Sequence, residues 1–296
     1  MFEVPGEDSE NVIIMIMLHV FLLLSLTENQ LISTCKPFKL PECWHGISQP
    51  RRERGNVAGF YYENKWNSLL CNKRSHTYTQ VGECLQNHNL HFWGDSTLRQ
   101  WYEYFADSLF RRDDLELHEA ENLKFGPHVA FNKRYEINIE YRHHGYPIRN
   151  DWTRVGDILY VPNMIDGIVA GDGGNEIVLL SLWAHFTATN LAYYRQRWRA
   201  IQYAIARLMT RNPGARVVIK SANTREMVSI DYSNWHAKEL DNVMREMMSG
   251  LQNVVIIDVW DMTIGHQSGY HIHPGRDVIR QEIDMLISAL CSSETK

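Results

Sequence analysis

Cysteine is scarce in this chain of 296 residues: five are present, at Cys35, Cys43, Cys71, Cys84 and Cys291. Their spacing fits neither a zinc-ligand pattern nor a Cys-x-x-Cys redox motif, which sets aside small zinc folds and thioredoxin-type chemistry. Positive charge is also short. With 30 Lys and Arg against 35 Asp and Glu the formal net charge is −5, so nothing draws a polyanion to the chain and nucleic acid is not expected as a partner. No Gly-x-Ser-x-Gly elbow occurs, which argues against an α/β-hydrolase in the strict sense. Gly171-Asp172-Gly173-Gly174 lacks the Lys-Ser/Thr of a phosphate-cradling loop, so nucleotide hydrolysis is not indicated. An Asn-x-Ser/Thr acceptor site is missing as well. The apolar run Val12–Leu26 is interrupted by His19 and Ser25 and falls short of the roughly 20 residues that a membrane helix wants.

What is present begins with that run. Residues 12–26 have the length of a signal-peptide core, so residues 1–34 read as a leader holding a signal peptide or a signal-anchor. Its flank departs from the usual pattern, because Met1–Asn11 carries Glu3, Glu7, Asp8 and Glu10 where a signal carries Lys or Arg. A secretory leader implies an oxidising compartment, and Cys71 with Cys84, both in a short loop-rich stretch, is the expected disulfide. The hydrophobic fraction of 44% and charged fraction of 22% are those of a folded globular protein.

From Cys35 to residue 88 the chain is rich in turn residues, Trp and Tyr and reads as an irregular or β-rich lead-in. Regular alternation follows. Apolar runs at Asn89–Trp93, Ile177–Leu182, Arg216–Lys220 and Asn253–Asp258 predict strands. Amphipathic stretches at Thr97–Phe110, Leu191–Thr210, Asp231–Met248 and Asp277–Leu290 predict the helices between and after them. Residues 124–148 read as further β structure or long loops. Such alternation predicts an α/β fold with a mostly parallel central sheet covered on both faces. Active residues then belong at strand carboxyl ends, where Ser96, His185, Asn223 and the segment after Asp258 all fall.

Phe92-Trp93-Gly94-Asp95-Ser96-Thr97-Leu98-Arg99 places a serine on the turn from a buried strand into a helix. There a hydroxyl projects at the sheet edge, and its backbone N–H faces a developing oxyanion; the same spacing also satisfies a plain helix cap. A hydroxyl nucleophile needs a base, and Asp258-Val259-Trp260-Asp261 followed by His271-Ile272-His273-Pro274 offers imidazole and carboxylate together. A competing reading makes His266, His271 and His273 a zinc site, but it leaves the Gly-Asp-Ser turn without a role.

Ala58-Gly59-Phe60-Tyr61-Tyr62, the block from Phe92 to Trp101, Val218-Ile219-Lys220-Ser221-Ala222-Asn223-Thr224-Arg225 and Asp258-Val259-Trp260-Asp261-Met262-Thr263 closely resemble the C-terminal domain of the NXPE (neurexophilin and PC-esterase) family. The resemblance covers residues 35–296, with 35–88 as lead-in and 89–291 as α/β core. It implies an SGNH-hydrolase-like three-layer fold, a secretory location, and action on acylated glycans or glycoproteins as esterase or O-acetyltransferase. It implies no cofactor or metal beyond an acetyl donor in the transferase case.

Carried over by position, Ser96 is nucleophile and His273 general base. SGNH enzymes usually place Asp three residues before that histidine; Tyr270 stands there, so Asp261, or alternatively Asp258, is the expected orienting acid. Gly94, Asp95, Gly145, His185 and Asn223 are expected at the pocket, Gly145 as a candidate oxyanion donor. His185 falls in a Gly-x-His-Phe pattern whose glycine is replaced by Trp183. Family members resembling this chain carry an upstream neurexophilin-type domain, and the chain reads as an isolated catalytic half. The alternative implied by the family name is an inactive secreted binding module.

Overall fold

The computed structural model describes residues 40–48, 57–119, 125–148, 155–169, 175–266 and 271–291. The leader assigned to residues 1–34, Cys35, Tyr270 and the Gly171–Gly174 turn lie outside the described residues.

Helix α1 (Cys43–Ser48) opens the fold, followed by the antiparallel hairpin β1 (Gly59–Tyr62) and β2 (Lys65–Ser68). Helix α2 (Tyr78–Cys84) starts on a capping box, Thr77 accepting from the Gln80 N–H while the Gln80 side chain accepts from the Thr77 N–H. The stretch that reads as irregular or β-rich therefore contains two helices and a hairpin. Its residues Cys43, Trp66, Cys71, Val81 and Leu85 pack into the same core as the central sheet.

That sheet has seven strands among the described residues, in the order β4-β5-β6-β3-β7-β8-β9. The ranges are β3 (Asn89–Gly94), β4 (Leu115–Glu119), β5 (His128–Asn132), β6 (Ile137–His143), β7 (Glu176–Ser181), β8 (Arg216–Lys220) and β9 (Val254–Ile257). Strands β6, β3, β7, β8 and β9 run parallel, and β4 and β5 extend the β6 edge as an antiparallel pair. Counting only the parallel strands in chain order, their spatial order is 2-1-3-4-5, a doubly wound arrangement whose ligands gather at strand carboxyl ends near the switch point.

Crossovers deposit helices on both faces, which explains the continuous apolar strands. On one side Leu90, Phe92, Ile177, Leu179 and Val218 pack against α3 (Ser96–Tyr104) and α8 (Arg276–Leu290). On the other, Val178, Leu180, Val217 and Ile219 pack against α4 (Val161–Asp166), α5 (Leu191–Arg211) and α6 (Asn234–Met248). Alternate residues of one strand thus feed opposite layers, the period-2 geometry of a pleated chain. Each large apolar side chain so buried is worth about 1.5–3 kcal/mol. The three-layer α/β fold with a mostly parallel central sheet is as expected, with sequence-predicted elements displaced by a few residues at their ends. Phe105–Leu109 continues α3 as a π-helical turn.

The disulfide expectation is corrected. Cys43 joins Cys71 across 28 residues, and Cys84 joins Cys291 across 207. Asn72 N–H donates to Pro41 carbonyl, which draws the end of the hairpin to the start of α1. Helix α2 carries Cys84 to the end of α8, so proximity in sequence misled. No helix among the described residues is long and apolar enough to cross a membrane.

Candidate active site

Strand β3 ends at Gly94, in register with Ser181 of β7 and His143 of β6. A Cβ on Gly94 would sit 2.4 Å from the Ser181 carbonyl oxygen and 2.9 Å from Leu98 Cδ2. Only glycine lets the chain leave the sheet here. Asp95, fully buried, then caps α3: its Oδ1 accepts from Thr97 N–H (2.9 Å) and the Thr97 hydroxyl (2.7 Å). Its Oδ2 accepts from the N–H groups of Trp183 (3.1 Å) and Ala184 (2.9 Å), which follow β7. The carboxylate thereby fastens the serine turn to the neighbouring strand end. It is a brace, not a group facing substrate.

Ser96 is the first residue of α3, and its Oγ lies 2.7 Å from His273 Nε2, although 177 positions separate them in the chain. His273 rides on a loop entering α8, and three ties hold that loop. The Ile272 N–H donates to Glu226 Oε2 (2.8 Å), the Ile272 carbonyl accepts from Asn223 Nδ2 (3.1 Å), and the Pro274 carbonyl accepts from Gln100 Nε2 (3.0 Å) on α3. Burial lowers the His273 pKa from its ordinary 6.5, with His271 and Arg99 acting the same way and Asp95 and Glu226 opposing them. The imidazole is therefore neutral at pH 7, the form that can accept a proton.

Asp95 and Glu226 are the carboxylates that oppose the lowering of the His273 pKa, while Asp261 and Asp258, the acids expected from the sequence, both carry structural bonds. Asp261, on α7 (Trp260–Ile264), accepts from Ala58 N–H at 2.7 Å and so anchors the entry to β1. Asp258 takes Arg245 of α6 at 2.9 Å and the Trp260 N–H at 3.1 Å. Both carboxylates are drawn to structural donors in other layers.

Asn223 is brought to the site in a different capacity from a pocket or oxyanion group. Its Oδ1 accepts from the buried Lys220 Nζ (2.9 Å), and its amide donates to Thr224 and Ile272 carbonyls, so it positions the base loop. Lys220 is in turn 3.9 Å from Glu282, both fully buried, and Trp101 Nε1 donates to Glu282 at 2.6 Å. Burial lowers the Lys220 pKa and raises that of Glu282.

Gly145 has φ +84°, and a Cβ there would meet the Tyr160 ring at 2.7 Å, so its glycine is required by backbone and packing. It lines a recess with Phe125, Gly126, His143 and Leu159, and neither Ser96 nor His273 lines that recess. Trp183 is buried beside Ala184, Ala222, Ala237 and Ile272, filling space beneath the base loop. His185 stands after β7 with its Nδ1 3.0 Å from His143 Nε2.

The C-terminal histidines do not assemble as the zinc reading required. His266 Nε2 reaches Asn64 Oδ1 of the β1–β2 hairpin at 3.0 Å, while His271 Nδ1 accepts from the His273 N–H at 3.0 Å. Glu226 and Gln100 escaped sequence reasoning, because each acts through the backbone of a remote loop and no motif marks that.

The sequence family described as NXPE family member 4-like, C-terminal domain, matches residues 66–291. Among solved structures, one described as a platelet activating factor from Streptococcus pneumonia aligns with TM-score 0.43 and 13% identity, covering 72% of this chain and 90% of its own. A member of the lipolytic protein G-D-S-L family from Veillonella parvula DSM 2008 aligns with TM-score 0.37 and 15% identity, covering 68% and 94%. At these values they add nothing to what the strand order already shows.

Proposed function

This chain belongs to the NXPE family member 4-like C-terminal domain family, and from that premise we propose that it transfers acyl groups through a Ser96–His273 dyad. The observation that carries the proposal is the 2.7 Å approach of Ser96 Oγ to His273 Nε2. In this reading the Ser96 oxygen attacks the carbonyl carbon of an acyl ester and its proton passes to His273 Nε2. The oxyanion faces the backbone N–H of Ser96 at the start of α3, where the helix end favours negative charge. His273 then returns the proton to the departing alcohol, and the acyl-serine passes its acyl group to water or to a second hydroxyl.

Substrates of this reading are O-acylated glycans or glycoproteins, with esterase and O-acetyltransferase differing only in the acceptor. Two disulfides support a secretory compartment, since such bonds persist where the surroundings are oxidising. A fluorophosphonate probe tests the nucleophile. Wild-type protein labels at Ser96 and Ser96→Ala does not; a folded wild type that stays unlabelled ends the proposal.

One observation favours a second reading, a binding module without turnover: Asp261 accepts from the Ala58 N–H and Asp258 from Arg245, so both expected acids are engaged in structural bonds. Loss of the orienting acid costs about four orders of magnitude in the serine-protease triad. Under this reading Ser96→Ala binds acylated glycan as the wild type does, and the wild type leaves the ester intact.

A further inference from the structure

Beside the serine turn, at the carboxyl ends of β6 and β7, three histidines converge. His143, His144 and His185 each direct a ring nitrogen into one cluster, and these atoms all lie within 4.8 Å of one another. The rings lie at shallow angles to one another, with centroids 4.1 Å apart and planes at 33° for His143 and His144, and 5.0 Å and 27° for His143 and His185. His143 is 7% exposed and His144 2%.

His143 and His144 are poorly satisfied among the described residues. His143 Nδ1 and both ring nitrogens of His144 are buried without a hydrogen-bond partner among the described residues. Buried polar atoms left so are costly, and native interiors rarely tolerate several together without an ion or water to bind them. Three converging imidazoles form a donor set that suits divalent zinc and its neighbours.

We propose that His143, His144 and His185 form a binding site for a divalent transition metal of the zinc class. Metal-bound imidazole nitrogens at 2.0–2.1 Å from a tetrahedral ion stand about 3.3 Å apart. The widest separation the cluster allows, 4.8 Å, must close by about 1.5 Å to reach that spacing. Three protein ligands leave a fourth position for water or a substrate oxygen. The register that pairs His143 with Gly94, together with the Ala184 N–H bond to Asp95, puts this position at the same sheet edge as Ser96. The site stands independently of the Ser96–His273 reading, because none of its ligands belongs to that dyad.

The test uses the full chain purified from zinc-supplemented medium, with metal measured by plasma mass spectrometry. Wild type carries about one zinc per chain, and His144→Ala and His185→Gln each lose it, while a His266→Ala/His271→Ala double variant retains it. His185 is half-buried, so its glutamine variant keeps the experiment decisive if His144→Ala does not fold. Cobalt(II) added to stripped wild type gives the visible bands of a tetrahedral nitrogen site, and His185→Gln does not. Metal-free wild type that takes up neither ion, or zinc retained by His185→Gln, overturns the proposal.

Discussion

The two halves of the dyad are held in different ways. Ser96 is fixed from beneath by a buried carboxylate that collects four donors, two from its own helix and two from the adjoining strand end. His273 hangs from a loop whose ties run through the peptide groups on either side of it, to Glu226, Asn223 and Gln100. One side is built into the core; the other is suspended from side chains on separate elements. A carboxylate brace tolerates no loss, whereas a suspended loop degrades by degrees.

Removing the brace should have the largest effect. Asp95→Ala strands four donors in a fully buried place, and a loss of about 3–5 kcal/mol is expected in urea unfolding, since bonds to a charged acceptor and orphaned donors both count. Asp95→Asn should recover part of this while leaving one oxygen site occupied by an amide. If Asp95→Ala unfolds like the wild type, the contrast between the two halves disappears.

Loosening the suspension should cost rate as well as stability. In Asn223→Ala the Ile272 carbonyl loses its donor and the base loop shifts, so labelling of Ser96 should slow by about 10–100-fold, in line with the sensitivity of such steps to ångström-scale misplacement. Its unfolding free energy should fall by about 1–3 kcal/mol. A labelling rate unchanged by Asn223→Ala would mean that Gln100 and Glu226 suffice.

The smallest effect is electrostatic. Labelling needs neutral His273, whose pKa is held below 6.5, so the rate should hold at pH 7 and fall only on acidification past a midpoint under that value. Glu226 opposes this lowering; Glu226→Gln keeps an oxygen for the Ile272 N–H but removes the negative field, and the midpoint should move further down. A midpoint moving up would contradict the charge arrangement. The same sign applies to stability: the unfolded imidazole binds a proton that the folded one resists, so this group's contribution is present above pH 6.5 and lost as pH falls.

Much of the scaffold was legible because the physics is local. Continuous apolar runs and helical spacing located β3, β7, β8 and β9, and the glycine before Asp95-Ser96 marked the turn that the Ser181 carbonyl demands. His273 came through family resemblance, and its approach to Ser96 depends on the sheet bringing β3 beside the loop after β9. What stayed hidden was decided between layers. Asp261 bonds Ala58 across 203 positions, and Asp258 is claimed by an arginine from α6. The histidine cluster hid for the same reason: His143 and His185 meet only because β6 and β7 flank β3 on opposite sides.

The bond between Cys84 and Cys291 joins the start of the α/β core to its end, enclosing both Ser96 and His273. A protease that severs one exposed loop inside that circle releases no fragment, and the two pieces migrate together on a gel until a thiol is added. Clipped material thus migrates like the intact chain, and only reduced samples reveal the cut.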